Sequence, residues 1–127
     1  DPARAARWRA RPIALPLKII VDERAPLIRI ADEGGGAPSF PRVGICLDNR
    51  TSVILGQHMG AADQPFGFNA MRAHDQALEA LGRRPAVVLF VNPNLPKALE
   101  SWLHAADLRA GLGKIPPQLE EIWAFLH

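Results

Sequence analysis

The sequence predicts an α/β domain built on a mixed β-sheet of about five strands with three helices, and three stretches carry that expectation. Pro41 to Gly60, PRVGICLDNRTSVILGQHMG, is two apolar runs joined by the polar turn Asp48-Asn49-Arg50-Thr51, and reads as a β-hairpin. Ala86 to Val91, AVVLFV, is an unbroken apolar run, the pattern of a strand buried on both faces. Leu95, Ala98, Leu99, Trp102, Leu103 and Ala106 follow the i, i+3, i+4, i+7, i+8, i+11 stripe of a helix laid on a sheet.

A chain of 127 residues with 48 % hydrophobic content is long enough for one real core. The formal charge is +2, but Arg4, Arg7, Arg9 and Arg11 stand against Asp1 alone at the start, so the rest of the chain is near neutral. We read residues 1–7 as a basic linker or tail and residues 8–127 as a single domain. The first residue is not methionine, which suits a fragment of a longer polypeptide. No apolar run reaches the length of a membrane span, and the start lacks an apolar signal region, so a cytoplasmic location is expected. Cys46 is the only cysteine and sits in an apolar run, which excludes an internal disulfide and a thiolate zinc site and suits a small buried hydrophobe.

In chain order, Trp8 to Leu15 alternates loosely and carries Pro12, which suits an edge strand. Leu17 to Asp22, LKIIVD, is a stronger strand rich in β-branched residues, and Leu27 to Ala31 resumes after Arg24-Ala25-Pro26. The triple glycine Gly34-Gly35-Gly36 is followed by Ala37-Pro38-Ser39-Phe40-Pro41, so it reads as a flexible hairpin tip and not as a phosphate-binding loop, which needs a helix leading out. In the hairpin, Gly44, Gly56 and Gly60 leave room for a neighbouring element to come close. Phe66 to Leu81 reads as a helix closed by Gly82, and Arg83-Arg84-Pro85 leads into the buried strand. Asn92 or Asn94 caps the next helix, Leu108 to Leu112 alternates as a short outer strand, and Pro116-Pro117 opens a last helix. That helix carries Leu119, Ile122, Trp123 and Leu126 on one face and Glu120 and Glu121 in its first turns. Ile45, Ile54 and Val88 are expected in one sheet, roofed by the helix that bears Trp102.

Strands followed by α-β-α-β-α resemble the ribonuclease H-like topology of integrases and transposases. ICLDNRTSVILGQHM resembles its second and third strands, and AVVLFVNPN its fourth. Nearly the whole chain is also similar to a bacterial domain of unknown function found in multidomain proteins, through Trp8, Leu15-Pro16, Pro41 to Gly56, Arg84 to Val91 and Pro116 to Leu126. The resemblance implies a scaffold without the nuclease site, because Ala10 and Arg11 stand near the place of the family's first aspartate and Asn92 near that of its second. A two-metal site needs carboxylates to offset two divalent cations, and these residues supply none.

The sequence supports three functional readings. The first is a non-catalytic ribonuclease H-like module that binds another protein or a neighbouring domain of a larger bacterial protein, and needs no cofactor. The second is a metal-dependent nuclease or transposase-like enzyme in which Asp22, Asp48 and Glu120 hold Mg²⁺ or Mn²⁺; against it, aspartates at turns ordinarily bond their own backbone. The third is nucleic-acid binding through Arg7, Arg9, Arg11, Arg83 and Arg84. His58, His74, His104 and His127 show no metal-ligand spacing, and no serine has a nucleophile-elbow context. Trp102 and Trp123 fall on apolar helical faces, where core packing is the expected role.

Overall fold

Leu17 to Val21, the β-branched run, forms the middle of a strand that continues in both directions to give β1 (Ile13–Arg24). The structure, a computed structural model, describes residues 6, 9–10, 13–25, 41–61 and 63–126, with only the backbone of residues 13–16. Two strands expected on either side of Pro16 are therefore one. The pairing with the neighbouring strand shifts register between Ala14 and Lys18, and that irregularity accommodates the proline that cannot donate to a ladder. The strand expected from Trp8 does not begin there: Arg9 is helical and Ala10 in a turn, with Ala10 N donating to Ala6 O at 3.2 Å, while Trp8 itself, the run Leu27 to Ala31 and the triple glycine lie outside the described residues.

The other elements are β2 (Arg42–Asp48), β3 (Ile54–Gly60), α1 (Phe68–Leu81), β4 (Arg84–Phe90), α2 (Asn94–Ala98), α3 (Glu100–Ala105), β5 (Ala110–Leu112) and α4 (Pro117–Leu126). The five strands form one mixed sheet in the order β3-β2-β1-β4-β5. β1–β2 and β2–β3 are antiparallel, and β1–β4 and β4–β5 are parallel. The helix expected from Leu95 to Ala106 divides where Leu99 leaves helical geometry (φ −105°, ψ 11°), so the described residues from Ile13 on carry four helices where three were expected. Leu99 N still donates to Leu95 O and Leu103 N to Leu99 O, so the sheet-facing stripe runs on across the division.

Each sheet face has its own core. Ile19, Val21, Cys46, Val88 and Phe90 meet α1, α2 and α3 through Ala70, Ala73, Leu95, Leu99 and Leu103, with Trp102 packed at the margin. Ile20, Val43, Ile45 and Leu47 meet α4 through Leu119 and Trp123. Ile45, Ile54 and Val88 do share one sheet, but its period of two sends Ile45 and Val88 to opposite faces, and Trp102 roofs only the face of Val88.

The element that the hairpin glycines admit is α1. A Cβ at Gly44 falls onto the Asn69 carbonyl, and one at Gly56 onto the Ala73 carbonyl, both rigid backbone. Ala70, Ala73 and Ala77 complete the close approach from the helix side. Gly56→Ala is therefore expected to push α1 off the sheet and destabilise the fold by about 1–3 kcal/mol in urea denaturation. No helix among the described residues is long and apolar enough to cross a membrane.

Candidate functional site

Alternation along β1 turns Asp22 and Glu23 to opposite faces, and both carboxylates are buried. Glu23 points at the start of α1. Its Oε1 accepts from the backbone N–H of Asn69 (2.7 Å) and Ala70 (3.0 Å), and its Oε2 from that of Gly67 (2.8 Å). Arg42 Nη1 donates to the same Oε2 at 3.4 Å. The helix opens on left-handed Gly67 with no side-chain cap and no acid in its first turn. The capping charge comes instead from a strand far away in sequence, and satisfies both the orphan amides and the helix dipole.

Asp22 points at α4. Its Oδ2 accepts from the indole Nε1 of Trp123 (3.0 Å) and from Arg24 Nε (3.1 Å), and its Oδ1 from the backbone N–H of Glu23 (3.0 Å). The Arg24 guanidinium lies over the Trp123 ring, 5.4 Å from its centroid. Burial pushes the Asp22 carboxyl above the ordinary carboxylate range, against the weaker pull of the Arg24 charge and these hydrogen bonds.

The three acids singled out from the sequence do not meet. Asp22 lies opposite Ile45 of β2, whereas Asp48 lies opposite Ile19, an odd number of residues back along β1 and on the other face. Asp48 Oδ1 accepts from the N–H of Arg50 (2.8 Å) and Thr51 (3.2 Å) and closes the hairpin turn. Glu120 is exposed in the first turn of α4. Among the described residues no group of three or more histidine, cysteine or acidic side chains can hold a metal ion. These residues therefore do not fit a divalent-cation centre. Asn92 is used locally, its Oδ1 accepting from Asn94 N at 2.9 Å.

The basic residues divide too. Arg84 is buried, and its Nη1 donates to the carbonyls of Ala106 (3.4 Å) and Asp107 (3.2 Å) beyond the end of α3, with the Asp107 carboxylate 3.6 Å away. Arg83 and Arg9 are exposed, and Arg7 and Arg11 lie outside the described residues. His58 shares a hydrogen bond of 2.7 Å with Asn69 Oδ1, His74 is buried and His104 is exposed, while His127 is outside the description. Cys46 is fully buried, which pushes its thiol pKa up and keeps it in the unreactive form.

One open feature among the described residues is mainly apolar. A groove of about 820 Å³ runs between the outer face of β2–β3 and α4, floored by Val43, Ile45, Ile54 and Met59 and walled by Ile122 and Phe125. Ile54 is 44 % exposed, Met59 54 % and Phe125 88 %. Ser52, Gln57, Gln118 and Glu121 supply its polar rim. Ser52 Oγ and Gln118 Oε1, 3.2 Å apart, tie the hairpin turn to the start of α4 and close one end. Neither this groove nor the Glu23 cap is evident from motifs. Phe125 carries the one sequence signal for the groove, an aromatic residue off the buried stripe of its helix.

No family model matches the chain, and no curated protein sequence does. Among solved structures it is similar to a chain in the cryo-EM structure of the simian T-cell lymphotropic virus intasome in complex with PP2A regulatory subunit B56 gamma. The TM-score is 0.50 at 15 % identity, over 89 % of this chain. This chain spans 40 % of the length of that one, and the likeness is one of fold.

Proposed function

We propose that the chain is a non-catalytic, ribonuclease H-like module by which a larger bacterial cytoplasmic protein binds another protein or a neighbouring domain. The observation that carries this reading is the apolar groove beside α4, where Ile54, Met59 and Phe125 remain exposed together. Contiguous exposed apolar surface is costly to leave in water and marks an interaction site. Two further features support it. The sheet order and the fold likeness agree with a ribonuclease H-like scaffold. The buried acids of β1 are engaged by internal donors, a use that builds the fold, and among the described residues no shared set of carboxylates is left for phosphoryl transfer.

Two assays test it together. Nile red is expected to bind the wild-type chain with a blue-shifted emission that Ile54→Lys abolishes, because the lysine places a charge on the groove floor. A labelled oligonucleotide with Mg²⁺ or Mn²⁺ is expected to stay intact. Metal-dependent cleavage that Asp48→Asn removes would replace this reading with the nuclease, and steeply salt-dependent retention on nucleic acid, lost on deleting residues 1–11, would replace it with nucleic-acid binding.

A further inference from the structure

We infer that the occupant of the groove is an amphipathic helix of the partner, laid across the outer face of β2–β3 beside α4 with a basic residue facing Glu121. This rests on the interaction reading above and names the partner's chemistry.

The shape of the sheet argues for a helix. Five strands spaced about 4.8 Å apart span roughly 19 Å, and a helix with its side chains is about 10–12 Å across, so each face takes two helical rows. One face has both: α1 lies over β2 and β3, and α2–α3 lie on the side of Val88 and Phe90. Among the described residues the other face has α4 alone, which buries Ile20, Val43, Ile45 and Leu47 but leaves Ile54 and Met59 of β3 exposed. One more helix beside α4 would cover them.

The edge of β3 argues against an added strand. Gln57, in the middle of β3, donates its backbone N–H to Gln76 Oε1 of α1 at 3.2 Å and not to the ladder. A central donor that an incoming strand would need is thus already taken, whereas a helix needs no backbone bonds from its host. Charge sets the polarity of the guest. Among the described residues, Glu121 is the one carboxylate in the groove lining, which holds no lysine or arginine. Glu120 precedes it, and both are exposed at the wall formed by α4. A lysine or arginine flanking the apolar stripe of the guest completes the match.

The test is selection of a displayed library of random 18-residue peptides on the whole chain, with counter-selection on Ile54→Lys. The recovered peptides are expected to share apolar residues at i, i+3 or i+4, and i+7, flanked by lysine or arginine. Measured with a recovered peptide, Ile54→Lys and Phe125→Ala each weaken binding by about tenfold or more, as loss of an anchor contact does. Glu121→Lys weakens it by about two- to fivefold and favours the same peptide with lysine replaced by glutamate, the scale of an exposed ion pair. Circular dichroism of the three variants, all altered at exposed positions, confirms that they fold. Recovery of alternating, strand-like peptides overturns the helix but keeps the interaction module, and no enrichment overturns both. A dimer that Phe125→Ala returns to monomer assigns the groove to a second copy and overturns the inference.

Discussion

Glu23→Ala is expected to remove about 3–5 kcal/mol of folding stability, a large share of what a domain of this size has. The side chain is buried and accepts from three backbone N–H groups at the start of α1 and from Arg42. Truncation leaves those donors without an acceptor in a dry site, and each orphaned amide costs about 1–3 kcal/mol before relaxation. The start of α1 offers no acid of its own to take over, since the first turn has none and Gly67 has no side chain. Glu23→Gln keeps one oxygen but turns an NH₂ group toward amide donors, so it should recover only part of the loss. Urea denaturation of the three proteins gives the order wild type, Gln, Ala. Equal stabilities would mean that α1 is capped by something else.

Acidification is expected to destabilise the fold from pH 6.5 downward, through His74. Its ring is fully buried, edge-on to Trp102 at 4.7 Å, and neither ring nitrogen has a hydrogen-bond partner among the described residues. Burial lowers its pKa from 6.5 to about 3. The unfolded chain therefore takes up a proton near pH 6.5 that the folded chain refuses until about pH 3. Its stabilising contribution is whole above pH 6.5 and falls with pH at about 1.4 kcal/mol per unit, reaching ~5 kcal/mol at most by pH 3. Asp22 acts in the other direction. Its raised folded pKa means stability is lost as pH rises from 3.8 toward that raised value, which offsets part of the histidine effect in that window. His74→Leu should flatten the profile between pH 6.5 and about 4, followed by urea midpoints at each pH. An unchanged slope would place the acid sensitivity elsewhere.

The architecture was legible where period and burial coincide. AVVLFV gives β4, the hairpin gives β2 and β3, and Pro116-Pro117 with its apolar stripe gives α4. The length of β1 was hidden because Pro16 reads as a break, whereas the strand carries it at a register shift. The faces were confused because Ile45, Ile54 and Val88 look alike in sequence, and only pairing register decides which helix each one meets. The site was hidden for a further reason. Asp22, Asp48 and Glu120 are acids at strand and helix ends, but strand alternation divides the two aspartates between faces. The role of Glu23 depends on a helix start 44 residues away, and that of Asp22 on an indole 101 residues away, distances that no local motif spans.

The contacts of Asp22 bear directly on the proposed function. An Asp22 carboxylate held by Trp123 and Arg24 on a face covered by α4 ties the last helix to the sheet, and that helix is one wall of the groove. Manganese titration followed at the Trp123 indole N–H resonance in ¹H–¹⁵N spectra addresses this most directly, because the indole donates to the carboxylate in question. A structural carboxylate predicts an indole signal that keeps its position and intensity through millimolar Mn²⁺. Broadening at micromolar Mn²⁺, relieved in Asp22→Asn, would show a metal ion at that carboxylate and contradict the non-catalytic assignment.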